Sequence, residues 1–271
     1  MKSLKENLSL HNGVSIPKIG FGTWMMFEGK TTVDVVKKAL STGYRHVDTA
    51  ALYDNEISVG KAIRTSGIPR KQVFVTSKLE AHVKNASLAQ EALEETMRKL
   101  DLAYLDLYLI HAPAPWGDKH SRYYRENVDV YRVLEHYYDT GKLRAIGVSN
   151  FEIADLENIM KHCDIVPHVN QIKLHPGLPQ TQLVNFCKAH DIVVEAYSPL
   201  GQGSLLTDPI IKRLSEKYDV TPAQLCIRYC LEKGTIPLPK TQNEKRMVEN
   251  ASMAFRIEEK DMKTLDTLSV T

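Results

Sequence analysis

Four residues in the first half of the chain, Asp48, Tyr53, Lys78 and His111, are of types that transfer protons in enzymes. An unperturbed tyrosine has a pKa of about 10 and is a poor proton donor at neutral pH. A nearby lysine ammonium lowers that pKa, and an aspartate paired with the lysine keeps the ammonium charged and oriented. A histidine beside the tyrosine can hydrogen-bond the reacting oxygen and stabilise its developing negative charge. This set suits proton transfer to or from a carbonyl or alcohol oxygen.

No activated serine or cysteine accompanies this set, and the sequence shows no metal-ligand spacing. The four cysteines form no Cys-x-x-Cys pair, and we expect them to be structural thiols: Cys163, Cys187, Cys226 and Cys230. A proton donor without a nucleophile implies that a bound cofactor supplies the other half of the reaction.

Each of the four residues also has an ordinary structural interpretation. Asp48 could cap the helix that follows it, and Tyr53 could be a packed ring with an exposed hydroxyl. Lys78 could be a solvated surface charge, and His111 could be a hydrogen-bonded core residue. Their shared position after neighbouring predicted strands favours the chemical interpretation.

Short apolar runs alternate along the chain with longer amphipathic ones, which predicts alternating strands and helices. The predicted strands are 18–21, 44–47, 73–76, 105–110, 144–148, 168–172, 193–196 and 235–238. The helical segments between them include 32–41, 88–100, 128–140, 152–161, 180–190 and 222–233. Thr221 followed by Pro222 is typical of a helix start, with Thr221 as the N-cap. A hairpin over residues 8–16, turning at Asn12-Gly13, precedes the first unit.

Eight strand–helix units favour a parallel sheet, either doubly wound or closed. A doubly wound dinucleotide fold usually has a glycine-rich turn after its first strand, and Gly22-Thr23-Trp24-Met25 is not such a turn. We therefore predict a single (β/α)8 barrel domain over residues 1–271, with the N-terminal hairpin capping its bottom. Active sites of such barrels lie at the carboxyl ends of the strands, where the four candidate residues fall.

Composition excludes several classes of function. Thirty-five Lys and Arg against 33 Asp and Glu give a net charge of +2, which creates no basic field for nucleic acid. The longest stretch without a charged residue, 174–187, is too short and too polar to span a membrane. The N-terminal residues lack the apolar core of a signal peptide. We expect a cytoplasmic protein with a small-molecule substrate, and the even charge is compatible with a monomer.

The sequence resembles the aldo-keto reductases from the hairpin to residue 258. Motifs matching in order and spacing are GFGTW at 20–24, GYRHVDTA at 43–50 continuing to Tyr53, NE at 55–56 with VG at 59–60, TSK at 76–78, LYLIH at 107–111, GKLRAIGVSNF at 141–151, NQ at 170–171, YSPL at 197–200 and PKT at 239–241. The resemblance implies an NAD(P)H-dependent carbonyl reductase on a (β/α)8 barrel. It implies Tyr53 as the general acid, Lys78 and Asp48 as the residues that tune it, and His111 as the residue that orients the substrate.

The resemblance also implies a cofactor site. Ser149, Asn150 and Gln171 would hold the nicotinamide carboxamide, and Tyr197 would stack on the ring. The other cofactor residues it implies are Thr23, together with Ser198 and Leu200 at the pyrophosphate, Lys240, Thr241 and Arg246 at the adenosine 2′-phosphate, and Glu249 and Asn250 at the adenine. Two cations and a hydroxyl suit a phosphate dianion, which favours NADPH over NADH. Outside the resemblance, residues 243–249 could equally be a polar surface helix.

The substrate pocket departs from the family pattern. Many members have Trp-Pro after the histidine, whereas this chain has Ala112-Pro113, with Trp116 three residues further on. Trp24 and Phe27 are expected as apolar walls, although both could be rim packing. The chain ends at Thr271, so the long C-terminal loop of the animal enzymes is expected to be absent. These features resemble the short bacterial members that reduce small aldehydes, dicarbonyls and keto-sugar acids.

Two other functions are compatible with parts of the sequence. A non-catalytic, NADP(H)-bound regulatory or scaffold protein on the same barrel would keep the cofactor residues, as in the beta subunits of potassium channels. An unrelated barrel hydrolase could use Asp48 and His111, but it leaves residues 240–250 without a role. The complete Asp-Tyr-Lys-His set favours the reductase.

Overall fold

The computed structural model describes residues 4, 6–118 and 120–269, and these form a hairpin followed by a barrel. The hairpin strands are β1 (Asn7–Ser9) and β2 (Ser15–Pro17). The barrel strands are β3 (Phe21–Gly22), β4 (His46–Asp48), β5 (Phe74–Leu79), β6 (Leu107–Ile110), β7 (Ile146–Ser149), β8 (Val169–Lys173), β9 (Val193–Tyr197) and β10 (Ile236–Leu238). Each barrel strand pairs in parallel with the next one in sequence, which confirms the predicted architecture.

Two backbone hydrogen bonds join the first and last strands and close the barrel. Gly20 N–H donates to Pro237 O at 3.0 Å, and Gly22 N–H donates to Pro239 O at 3.1 Å. A Cβ on Gly20 would lie 2.8 Å from His46 Nδ1 and closer still to Leu238. A side chain at position 20 would therefore displace the side chains of Leu238 and His46.

The hairpin closes the amino-terminal end of the barrel, as predicted. Its Leu10 and Ile16 are buried against side chains of the barrel strands and their approaches, which are Phe74, Leu107, Leu109, Ala145, Val169, Ile236 and Leu238. This apolar plug fills the lower barrel interior. The candidate site residues Asp48 and Lys78 lie above it, near the carboxyl ends of β4 and β5.

Helices surround the barrel and cover its outer face with a continuous apolar layer. They are α1 (Lys30–Thr42), α2 (Glu56–Arg64), α3 (Ala86–Leu100), α4 (Tyr124–Asp139), α5 (Ile153–His162), α6 (Thr181–Ala189), α7 (Pro209–Lys217), α8 (Pro222–Glu232), α9 (Glu244–Ala251) and α10 (Glu259–Asp266). Thr221 caps α8 in a capping box with Gln224, as its sequence predicts. None of the helices described is long and apolar enough to cross a membrane.

The first barrel strand is shorter and later than predicted. Residues 18–21 were expected to form it, but the ladder includes Phe21 and Gly22. Lys18 N–H still donates to Glu6 O at 3.0 Å, so this part of the chain continues the hairpin rather than the barrel. Thr271, where the sequence ends, lies outside the described residues.

Candidate active site

A buried ion pair forms the base of the barrel mouth. Asp48 ends β4, and Lys78 lies near the end of the neighbouring strand β5. Lys78 Nζ donates to both carboxylate oxygens of Asp48 at 2.8 Å and to Thr49 O at 2.8 Å, and the lysine is fully buried. Asp48 is therefore the lysine's counter-ion rather than a helix cap, and Lys78 is not a surface charge.

Tyr53 lies directly above this pair, in the 3-10 turn Ala51–Tyr53 that follows β4. Its hydroxyl accepts a hydrogen bond from Lys78 Nζ at 3.3 Å. Asn55 holds the turn, because its Nδ2 donates to Thr23 O at 3.0 Å and to Met26 O at 2.9 Å. Thr23 in turn donates to Asp48 O at 2.9 Å. The loops after β3 and β4 are thus joined beneath the tyrosine.

His111 follows β6 on the other side of Tyr53. The two ring centroids are 5.8 Å apart, in an edge-to-face arrangement. The His111 side chain makes no hydrogen bond with the described residues, and its Nδ1 is buried without a partner. Burial, together with the Lys78 charge, lowers the pKa of His111 to about 3, so the imidazole is neutral at physiological pH.

The ionisation of Tyr53 and Lys78 is set by opposing effects. Burial raises the pKa of Tyr53, and the Lys78 ammonium offsets this only in part. Burial disfavours the ammonium of Lys78, but Asp48 and Tyr53 outweigh it and hold the lysine pKa above its ordinary value. The lysine thus acts on the tyrosine in the expected direction, while the net shift of the tyrosine pKa is upward because the hydroxyl is buried.

The loop after β7 connects His111 to Tyr197 through the side chain of Asn150. Asn150 Nδ2 donates to His111 O at 2.9 Å, and Asn150 Oδ1 accepts from the Tyr197 hydroxyl at 2.8 Å. Ser149 Oγ and Asn150 N–H both donate to Gln171 O. Asn150 and Ser198 have φ of 61° and 50°, a left-handed conformation that is uncommon outside glycine. Four of the predicted cofactor residues are thereby brought together.

Gln171 reaches from β8 into the barrel interior. Its Nε2 donates to Asp48 Oδ2 at 2.9 Å and to Glu195 Oε2 at 2.7 Å. Glu195 is fully buried in β9, and sequence analysis assigned it no role. The sequence feature that could have identified Glu195 is a carboxyl group inside the mostly apolar run VVEAY, on the same strand face as Tyr197.

The chain after β9 has an irregular backbone suited to an anion. Ser198 and Leu200 lead into the 3-10 segment Gly201–Thr207, in which Gln202 and Gly203 have positive φ. Consecutive amides in such left-handed turns can point into one concave surface, which binds phosphate oxygens.

The five residues expected at the adenosine end lie on α9 and the loop before it. Lys240 and Arg246 are exposed, and within the described residues neither side chain has a hydrogen-bond or ion-pair partner. Thr241 Oγ1 accepts from Asn243 N–H at 3.1 Å. Asn250 is buried, and Glu249 is half-buried with Lys245 at 3.8 Å. Two cations thus stand unpaired beside the start of a helix.

The rim of the mouth is apolar. Trp24, Phe27 and Trp116 are 45%, 85% and 55% exposed, and the Trp116 ring centroid is 5.3 Å from that of His111. Ala112 is buried instead, with its carbonyl bound by Lys84 Nζ at 2.8 Å. Trp116 therefore lies beside His111, and Phe27 is exposed to solvent. Ala112 is buried within its own loop.

A closed parallel barrel with an Asp-Lys-Tyr-His cluster at the carboxyl ends of its strands is typical of a class of oxidoreductase. The family model described as the Aldo/keto reductase family matches residues 18–270. The chain belongs to this family.

Relatives and solved structures agree with that assignment. Glyoxal reductase of Bacillus subtilis (strain 168) is 41% identical over 268 residues, covering 98% of this chain and 94% of that protein. Glycerol 2-dehydrogenase (NADP(+)) of Saccharomyces cerevisiae is 37% identical over 289 residues, covering 97% and 90%. The crystal structure of an aldo/keto reductase from Brucella melitensis superposes with a TM-score of 0.90 at 38% identity and 98% coverage of both chains. These likenesses support carbonyl reduction with a nicotinamide cofactor as the class of reaction.

Proposed function

We propose that the protein reduces aldehydes and ketones to alcohols with NADPH, using Tyr53 as the general acid. The observation that carries this proposal is the fully buried Lys78 Nζ, bound by both oxygens of Asp48 and 3.3 Å from the Tyr53 hydroxyl. Besides its bonds to Asp48 and to the Thr49 carbonyl, this ammonium faces the Tyr53 hydroxyl, where it can stabilise a phenolate.

Tyr53 holds the proton that the reaction consumes. Because burial raises its pKa, the hydroxyl remains protonated at neutral pH and can donate to the carbonyl oxygen as negative charge develops there. The tyrosinate left behind is stabilised by Lys78, whose charge Asp48 maintains. A proton from solvent then restores Tyr53.

His111 orients the substrate. Its neutral imidazole carries one N–H, which can hydrogen-bond the carbonyl oxygen without competing as an acid. The imidazole lies edge-on to Tyr53, so both groups can reach one oxygen atom. Two donors on that oxygen stabilise the charge that forms during reduction.

The chain has residues that fit a dinucleotide phosphate. NADPH, when bound, supplies the hydride. Ser149, Asn150 and Gln171 would hold the nicotinamide amide and Tyr197 its ring, while Ser198 and Leu200 would lie at the pyrophosphate. Lys240, Thr241 and Arg246 would hold the 2′-phosphate, and Glu249 and Asn250 the adenine. The support from the structure is that Lys240 and Arg246 have no protein partner among the described residues, as a site for a phosphate dianion requires.

We propose small aldehydes and dicarbonyls as substrates. The mouth is edged by exposed Trp24 and Trp116 rather than covered, and one relative is named a glyoxal reductase. An open apolar rim binds short carbonyl compounds without selecting strongly among them.

The test is NADPH oxidation by the purified protein, with NADH in parallel, against an aromatic aldehyde, methylglyoxal, a simple ketone and a keto-sugar acid. We expect turnover of several substrates, with NADPH preferred. Tight NADPH binding without turnover would instead favour the regulatory function, and failure to bind either cofactor would contradict the proposal.

A further inference from the structure

Glu195 of β9 and Gln171 of β8 are direct cross-strand partners inside the barrel. Gln171 Nε2 donates to Glu195 Oε2 at 2.7 Å and to Asp48 Oδ2 at 2.9 Å. An amide nitrogen carries two hydrogens, so these bonds use its whole donor capacity. The amide oxygen Oε1 is therefore the only polar atom of this side chain left for a ligand.

The opposite orientation of the amide is disfavoured by the same neighbours. Rotation would place the Gln171 oxygen against the Asp48 carboxylate, and against Glu195 Oε2 whenever that atom carries no proton, and would leave both carboxyl groups without this donor. Asp48 is already bound twice by Lys78, whereas Glu195 Oε2 has Gln171 as its hydrogen-bond donor. Glu195 Oε2 is thus the acceptor whose hydrogen bond depends on the Gln171 amide.

This bond persists at neutral pH whether or not Glu195 is ionised. Burial, followed by the charge of Asp48, raises the pKa of Glu195 to about 8. The neighbouring His46 brings no charge, since burial lowers its pKa to about 3. A carboxyl group protonated on Oε1, the oxygen that has no hydrogen-bond partner among the described residues, still offers Oε2 as an acceptor and adds no second negative charge beside the Asp48–Lys78 pair.

We propose that Glu195 is a positioning residue that fixes the Gln171 amide with its oxygen toward the barrel mouth, so that Gln171 accepts a hydrogen bond from the carboxamide N–H of a nicotinamide ring. The inference rests on the proposed function, which assigns Gln171 to the cofactor amide. Glu195 itself does not touch the cofactor. Its contribution is to select rings that carry an amide N–H.

The experiment compares dissociation constants of NADP⁺ and its 3-acetylpyridine analogue, in which a methyl group replaces the amide nitrogen. They are measured by quenching of protein fluorescence in the wild type and in Glu195→Leu and Glu195→Gln. One hydrogen bond corresponds to a wild-type preference of about fivefold for NADP⁺. Glu195→Leu removes the acceptor, and we expect the preference to fall below twofold because only NADP⁺ binds more weakly. Glu195→Gln keeps an acceptor oxygen and should retain most of the preference.

Other outcomes overturn the inference in distinguishable ways. If Glu195→Leu keeps the wild-type preference, or weakens both ligands equally, Glu195 does not act through the amide orientation. A wild type that turns over with NADPH but does not discriminate between the ligands would refute the amide contact while leaving the reductase intact. A wild type that binds neither ligand would refute both. Should the leucine variant fail to fold, Glu195→Ala gives the same comparison.

Discussion

At the scale of single residues, the candidate active site consists of contacts between side chains that are distant in sequence. Lys78 meets Asp48 and Tyr53 across two strands, and Gln171 meets Asp48 across 123 positions of sequence. Each of these residues would be expensive to bury alone, and each is buried with a partner of complementary charge or hydrogen bonding. The site is therefore a single polar unit inside an otherwise apolar barrel.

Replacing Tyr53 with phenylalanine removes the hydroxyl that we propose as the proton donor and little else. We expect turnover to fall by about 10²–10⁴-fold, the usual contribution of general acid catalysis, while the NADPH dissociation constant stays close to that of the wild type. Steady-state reduction of an aldehyde and a fluorescence titration measure the two quantities. Tyr137→Phe is the matched control, because that hydroxyl bonds Glu94 away from the mouth. A Tyr53 variant with most of its activity would show that another group donates the proton.

Replacing Arg246 with alanine tests the preference for NADPH. A charge-assisted hydrogen bond to phosphate contributes about 1.5–3 kcal/mol, so we expect the NADPH dissociation constant to rise by about 10–100-fold and that of NADH to change little. Binding titrations with both cofactors measure this. Arg256→Ala removes an exposed arginine outside the 240–250 segment and serves as the control. Equal weakening of both cofactors would rule out a contact to the 2′-phosphate.

At the scale of elements, the loop after β6 is held by the helix that follows it. Lys84 Nζ donates to Ala112 O and to Asn127 Oδ1, both at 2.8 Å, and Asn127 Nδ2 donates to Pro113 O at 2.9 Å. Asn127 is buried near the start of α4. The tether fixes the segment between His111 and Trp116, and so fixes one wall of the mouth.

Asn127→Ala should loosen that wall. We expect KM for the carbonyl substrate to rise several-fold and the free energy of unfolding to drop by about 1–3 kcal/mol, since the Lys84 ammonium and the Pro113 carbonyl lose a buried partner. NADPH affinity should be retained. Asn85→Ala, which removes the N-cap of α3, should cost about 1 kcal/mol of stability without changing KM. If both variants change KM alike, the effect is general destabilisation rather than loss of the tether.

The features of the fold and site that can be predicted from the sequence are those encoded by residues close to one another along the chain. The hairpin turn at Asn12-Gly13, the alternation of strands and helices and the cap at Thr221 are encoded by near neighbours, and the structure contains all three. The predicted start of β3 is wrong because the Lys18 backbone hydrogen-bonds Glu6 in the hairpin. This pairing between separate segments cannot be seen in the local sequence pattern. Glu195 and Asn127 are not singled out by the sequence, because their roles arise only where distant strands and loops meet.

At the scale of the whole molecule, the barrel interior is divided into an apolar lower half and a polar upper half. The hairpin and the starts of the strands fill the bottom with aliphatic and aromatic side chains. Above them lie His46, Glu195, Gln171, Asp48 and Lys78. Burying an ionisable carboxyl group in the polar half, that of Glu195, makes the stability of the fold depend on pH.

Glu195 makes this dependence measurable. Burial, followed by the charge of Asp48 on β4, raises its folded-state pKa from the ordinary 4.5 to about 8, while the hydrogen bond from Gln171 on β8 and the charge of Lys78 on β5 act in the opposite direction. His46 on β4 also faces this carboxyl group, with its Nε2 3.5 Å from Oε1. Below pH 4.5 the carboxyl is protonated in both states, so it adds no pH dependence there. From pH 4.5 to 8 the unfolded chain releases the proton while the folded chain keeps it, so the stability of the wild type falls relative to that of Glu195→Gln.

Urea unfolding of both proteins across pH 4–9 measures this difference in the free energy of unfolding. The difference in favour of the variant should grow up to about pH 8 and then hold a constant margin. Glu157→Gln, an exposed change of the same kind on α5, controls for the lost charge. A margin that does not grow with pH would mean that Glu195 is ionised in the folded protein at neutral pH.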